Sequence, residues 1–268
     1  GPARFSTITT TPRRRDTTTV EHAHLICRVA GTTLGGQVSG ISLAQVYPGW
    51  LFRYPPGMET GFLNRGPDDN RFVVYVPRGA QGPLPAILFL HGRGESGTDG
   101  LLQTEVGLGT AIRRKAEEWP FVVVMPQKPV ADQLWPSFLD RINACLTAVE
   151  SEFDLDPHRR YLTGLSQGGH GTWMLVSKLA WNFAAAAPVC GWTDGEEFAE
   201  SFRHIPVRAF HGDADQAVPV AGSERAVAAV RALGGTADLK IYPGVGHNSW
   251  DAAYQREDLA AWFLAQRL

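Results

Sequence analysis

Gly164-Leu165-Ser166-Gln167-Gly168 carries the G-x-S-x-G spacing, which holds a serine on a tight turn between a strand and a helix. Its surroundings agree: Tyr161-Leu162 reads as the end of a strand, and a helical run starts near Ser166. The glycines answer crowding, because side chains beside so sharp a turn would clash. Such a turn exposes the hydroxyl at the carboxyl edge of a sheet, where a helix N-terminus favours developing negative charge. The chemistry this allows is acyl transfer, with Ser166 as nucleophile. A serine hydroxyl is weak at neutral pH and needs a base. His247, within Gly244-Val-Gly-His-Asn-Ser-Trp250, sits on a glycine-flanked loop between the last strand and the last helix. His22, His24, His158 and His204 read instead as surface or packed residues. The imidazole in turn needs an acid to hold its tautomer and stabilise its charged form. Asp213 and Asp215 compete for that part in His211-Gly-Asp-Ala-Asp-Gln-Ala-Val-Pro219. Whichever is not the acid has a role in the turn, since Asx side chains bond their own backbone. The order serine, aspartate, histidine suits a nucleophile on this kind of turn.

A developing oxyanion needs donors aimed at it. His91-Gly92-Arg93-Gly94-Glu95 follows an apolar strand, and a glycine-rich loop there can present backbone N–H groups. The N–H of Gln167, next to the serine, and the N–H of Arg93 are the expected pair. Donors of this kind are worth about 3 kcal/mol each in the transition state. Glu95 is expected to fix the loop by hydrogen bonds rather than to move protons. Trp135, Trp192 and Trp250 lie near strand ends or these loops and are the candidate walls of an aryl-binding or apolar substrate pocket.

These side chains must be positioned by strands and helices in alternation. Arg71–Val76, Ala86–Leu90, Phe121–Met125, Arg160–Thr163, Ala184–Val189, Val207–Phe210 and Leu239–Tyr242 read as strands. The unbroken apolar run Ala86-Ile-Leu-Phe-Leu90 predicts a strand covered on both faces. Helices are predicted over Leu108–Glu118, Ser137–Phe153, from near Ser166, over Ser223–Leu233 ahead of Gly234-Gly235, and as one final helix over Ala252–Leu264. Alternation of this type predicts a mostly parallel twisted sheet with helices on both faces. Few residues separate Val189 from Phe210, which leaves no room for a large cap domain and favours small, soluble substrates.

Composition narrows the class. A chain of 268 residues with 44% hydrophobic and 19% charged residues can build one large core. The formal net charge of −2 gives no footprint for nucleic acid. No apolar run approaches the roughly 20 residues that span a bilayer. Cys27, Cys145 and Cys190 make an odd count without C-x-x-C spacing, which argues against a disulfide framework or a zinc site; Cys145 reads as a core residue on a helix stripe. Residues 1–19, rich in Thr and Arg, are expected to be a flexible tail. Residues 20–60 are expected to form an N-terminal extension packed on the core, and residues 61–268 the catalytic domain. The opening Gly1-Pro2 reads as the scar of a cleaved tag, so the lack of a visible leader leaves cytoplasmic and secreted placement both open. Oligomeric state is not legible.

Four stretches together carry a resemblance: Leu90-His-Gly-Arg-Gly-Glu-Ser-Gly97, Tyr161-Leu-Thr-Gly-Leu-Ser-Gln-Gly-Gly169, His211-Gly-Asp-Ala-Asp-Gln-Ala-Val-Pro219 and Gly246-His-Asn-Ser-Trp250. From about Gly61 onward the chain resembles the phospholipase/carboxylesterase branch of the α/β-hydrolases and its predicted-peptidase-like esterases. The resemblance implies the α/β-hydrolase fold, a nucleophile at Ser166, a base at His247 and the acid at Asp215, the second aspartate of its stretch. It also implies broad carboxylesterase activity on small or aryl esters, with no metal or other cofactor. The alternatives it leaves are feruloyl-esterase-like activity, a serine peptidase, or a low-turnover ligand-binding homologue. The first 55 or so residues do not match the family core.

Overall fold

In a computed structural model, residues 59–79 and 82–268 are described, together with Arg28–Val29 and Thr32–Thr33. The chain divides into two compact units, Gly1–Phe52 and Arg53–Leu268. Of the first, the described part is an antiparallel pairing of β1 (Arg28–Val29) with β2 (Thr32–Thr33). The tail expected over 1–19 lies outside the described residues, and so does nearly all of the extension expected over 20–60.

The second unit is built on an eight-stranded open sheet. Its strands are β3 (Gly61–Arg65), β4 (Phe72–Val76), β5 (Leu84–Leu90), β6 (Val122–Pro126), β7 (Leu155–Leu165), β8 (Ala185–Val189), β9 (Val207–Gly212) and β10 (Ala237–Tyr242). They lie in the order β10-β9-β8-β7-β5-β6-β4-β3. From β6 to β10 all neighbours are parallel, while β4 runs antiparallel to both β6 and β3. This is the α/β-hydrolase fold. Strands β4, β5, β6 and β8 are continuous apolar runs because both faces are covered. Along β5, Ala86, Leu88 and Leu90 enter one core and Ile87 and Phe89 the other, the period-two alternation of a pleated strand.

Helices cover each core. On one face lie α2 (Leu139–Glu152), α3 (Gln167–Leu175) and α4 (Ala221–Ala232), burying Ile142, Cys145, Leu146, Trp173 and Val230. On the other lie α1 (Leu108–Arg114), α5 (Trp250–Gln255) and α6 (Leu259–Leu264), burying Leu108, Ile112, Tyr254 and Phe263. Between β8 and β9 there is a single short 3₁₀ helix, Glu197–Phe202, and no cap.

Two sequence expectations need correction. The final helix predicted over Ala252–Leu264 is two helices broken around Asp258. Asp258 accepts a hydrogen bond from Arg208 at 2.6 Å, and Glu257 accepts one from the hydroxyl of Tyr242. These bonds to β9 and β10 turn the chain where its apolar stripe alone would continue. Edge strand β3 was not anticipated at all. It is only half buried, so it lacks the apolar run that marked the inner strands.

The fold places one crevice. β5 is followed in sequence by β6 on one side and in space by β7 on the other. In open α/β sheets a site lies outside the carboxyl ends of strands where the order reverses. The loop after β5 and the turn after β7 meet there.

Candidate active site

Ser166 stands between β7 and α3 with φ 55° and ψ −117°, one of two positive-φ non-glycine residues among those described. Backbone in this region costs on the order of 1–3 kcal/mol and persists only where its surroundings enforce it. The surroundings are tight. A Cβ on Gly168 would stand 1.9 Å from the carbonyl oxygen of Leu90, and one on Gly164 would stand 2.4 Å from that of Gly168. The N–H of Ser166 donates to Val189 O at 2.9 Å, and its carbonyl accepts from His170 N at 2.9 Å. Strand β8 and helix α3 thus grip the residue from either side, and its side chain remains partly accessible.

Ser166 Oγ lies 2.9 Å from His247 Nε2, and His247 Nδ1 lies 2.7 Å from Asp215 Oδ2. The other oxygen of Asp215 accepts the N–H groups of Ala217 and Val218, each at 2.9 Å. Burial pushes the Asp215 carboxyl upward, but the bond from His247 and those two amides outweigh it and hold the group below the usual carboxylate range. It is therefore ionised at neutral pH. An ionised acceptor on Nδ1 fixes the imidazole with its proton on that nitrogen, leaving Nε2 free to accept from the serine hydroxyl. Asp213, the competing aspartate, is exposed and accepts the N–H of Gly244 at 2.6 Å. It ties the loop after β9 to the loop after β10, which carries His247.

The loop after β5 is fixed from below. Buried His91 accepts the N–H of Lys128 on Nε2 at 3.1 Å, so Nδ1 carries the proton and donates to Gly92 O at 2.6 Å. Burial drives the His91 imidazole down to about 3, and it is neutral. Gly92 N donates to Glu95 Oε2 at 2.9 Å. Burial raises the Glu95 carboxyl above its ordinary value against that bond. Lys128 Nζ, itself buried, donates to Ser96 Oγ, Val130 O and Ala131 O at 2.7–3.1 Å. Burial lowers it to about 8, which leaves the ammonium mostly charged at neutral pH. The Arg93 side chain is turned outward to Asp132, at 2.6 Å. Gln167 is the first residue of α3, where a helix leaves the N–H without an intrahelical partner.

The three tryptophans fare differently. Trp135 is wholly buried, and its Nε1 donates to His91 O at 2.9 Å. It supports the loop and cannot wall a substrate pocket, which corrects the sequence expectation. Trp250 is half-buried and meets the His247 ring edge-on at 5.4 Å. Trp192 is half-buried against His170, at 4.9 Å. His170, whose Nε2 donates to Asp194 Oδ2 at 2.8 Å, was not singled out from sequence. Its partner is 24 residues away, so no local pattern marks the pair. His158 and His204 are exposed, as expected; His22 and His24 lie outside the described residues.

Cys190, Asp215 and His247 bring one ligand atom each within 4.8 Å of one another. They do not suit a metal ion. Burial pushes the Cys190 thiol up to about 12, whereas metals bind the thiolate, and the other two are engaged with each other.

The sequence pattern of the dienelactone hydrolase family matches residues 113–260, more than half of the chain. The chain belongs to the dienelactone hydrolase family. It is thus a hydrolase of the α/β-hydrolase superfamily, as the resemblance in sequence implied. This dienelactone hydrolase family member is 26% identical over 214 residues to a probable carboxylesterase SOBER1-like protein of Arabidopsis thaliana, covering 68% of this chain and 78% of that one. It is 29% identical over 142 residues to a bifunctional acetylxylan esterase/xylanase of Neocallimastix patriciarum, covering 52% of this chain and 20% of that one. Among solved structures it is similar to a thermostable esterase, with TM-score 0.68, 28% identity, and coverage of 78% of this chain and 63% of the other. A mutant feruloyl esterase module from Clostridium thermocellum shares the fold, with TM-score 0.57, 20% identity, and coverage of 72% and 82%. Among the described residues no helix is long and apolar enough to cross a membrane.

Proposed function

We propose that this protein is a serine carboxylesterase that hydrolyses small or aryl esters through an acyl-enzyme on Ser166. The observation that carries the reading is the continuous hydrogen-bonded line from Ser166 Oγ through His247 to Asp215, at 2.9 and 2.7 Å. Ser166 attacks the ester carbonyl while His247 Nε2 takes the hydroxyl proton. The tetrahedral oxyanion is held by the N–H groups of Gln167 and Arg93. His247 then gives its proton to the departing alcohol. Water enters, loses a proton to the same nitrogen and attacks the acyl group, releasing the acid and restoring Ser166. Asp215 stays ionised throughout and steadies the imidazolium.

The carboxylesterase and esterase relatives support the ester as substrate, and among the described residues the short connection between β8 and β9, which carries no cap, suits small soluble ones. The test is a panel of alkyl and aryl esters, feruloyl esters and aminoacyl amides, run on the wild type and on Ser166→Ala. Ester hydrolysis is expected, with loss of at least about a thousandfold in kcat for the variant and loss of labelling by an active-serine phosphonate. Normal turnover by Ser166→Ala overturns the mechanism. Faster cleavage of the amides than of the esters would make the protein a peptidase. Labelling without turnover of any member would make it a ligand-binding homologue.

A further inference from the structure

Beside Asp215 lies a cavity of about 280 Å³ lined by Trp192, Ala217, Val218, Pro219, Gly222 and Arg225. It shares its frame with the candidate active site. Ala217 and Val218 supply the N–H groups that hold the Asp215 carboxylate. Trp192 follows β8 and packs on His170, which stands on the first turns of α3 beyond Ser166. With one side of its ring against His170, Trp192 is half-buried and fixed, a flat apolar wall rather than a mobile surface residue. The remaining walls are aliphatic. A cavity near the lower end of the usual ligand-pocket range has room for one ring with a substituent.

Arg225, on α4, is the single charged group of this lining. It is exposed and makes no hydrogen bond, ion pair or ring contact with any described residue. Arg160 and Arg208 both stack on tryptophans and pair with carboxylates. A guanidinium presents planar donors that match a carboxylate, and the one at Arg225 has no partner among the described residues. An aromatic wall and an exposed guanidinium on one cavity together suit a flat ring that carries an acid.

We propose that this cavity is a substrate subsite for aromatic esters bearing a carboxylate remote from the scissile bond, with the ring on Trp192 and the carboxylate on Arg225. The inference rests on the esterase reading above and adds to it the substrate class. Pairing at Arg225 lowers KM for the anionic ester over a neutral one of the same shape, and salt weakens that preference because the site is open to solvent.

The experiment compares isosteric pairs that differ only in charge: monomethyl terephthalate with methyl 4-carbamoylbenzoate, and 4-acetoxybenzoate with 4-acetoxybenzamide. The first pair places the acid on the acyl side and the second on the alcohol side. The wild type is expected to prefer the carboxylate in at least one pair, by a ratio of kcat/KM that falls as salt rises. Arg225→Gln is expected to reduce that ratio about tenfold and abolish its salt dependence, and Arg225→Lys to restore part of it. A ratio unchanged in Arg225→Gln overturns the subsite. So does a wild type that hydrolyses 4-nitrophenyl acetate but none of the four test esters. Failure to hydrolyse 4-nitrophenyl acetate as well overturns the esterase reading itself, which separates the two claims.

Discussion

Asp215 is the more firmly held of the two competing aspartates. Asp215 takes two amides and an imidazole, whereas Asp213 takes one amide of a surface loop. Asp215→Asn is therefore expected to lower kcat by about 10⁴, through loss of the correct imidazole tautomer. Asp213→Asn should cost less than about tenfold. Parallel kinetics on the two variants decide between them, and the reverse order would exchange their roles. The depressed native carboxyl of Asp215 also makes a statement about stability. A group ionised more readily in the folded chain than in the unfolded one, near pH 3.9, stabilises fully above that value. The contribution disappears as pH falls through the lower native value. Denaturation of wild type and Asp215→Asn should thus differ most above about pH 4 and converge below it. A gap that widens toward acid would contradict the assignment of the charge.

A buried ammonium is one of several links between the loop after β5 and the loop after β6, beside the bonds of Gly97 N with Lys128 O and of the Gln127 side chain with Glu95 O and Gly100 N. Lys128 gives hydrogen bonds to Ser96, Val130 and Ala131, and its own N–H fixes the tautomer of His91. Lys128→Met fills the space with carbon but leaves those acceptors unpaired. The expected cost is about 2–3 kcal/mol in chemical denaturation, with a loss in kcat as the loop that carries Ser96 shifts. Unchanged stability and kcat would show that the two loops hold themselves. At the same scale, the break between α5 and α6 illustrates how tertiary bonds override periodicity. Glu257 and Asp258 find partners on Tyr242 and Arg208, and the helix yields to them.

Over the whole molecule, charge is nearly balanced at −2, and several of the ion pairs among the described residues are exposed on both sides. Pairs of that kind contribute little and produce no steering field. Hydrolysis of a neutral ester should accordingly change by less than about twofold between about 20 and 500 mM salt. A steep salt dependence for a neutral substrate would reveal a field that the charge distribution does not predict. The scaffold that permits a strained serine is the two-faced core: four continuous apolar strands, with a helix layer on either side, over-determine the turn between β7 and α3.

The strands of the inner sheet, the elbow at Ser166 and the loop at His247 were legible in sequence because each depends on a local pattern: apolar runs, glycine spacing, and turn residues at strand ends. Half-buried β3 has no such pattern. Nor do the pairs at the candidate site, which join residues far apart in the chain. Proximity made Asp215 rather than Asp213 the partner of His247, put Trp135 under the loop instead of in a pocket, and set Trp192 and Arg225 on one cavity. Periodicity reports which way a side chain faces along its own element; only packing of elements against one another decides what it meets.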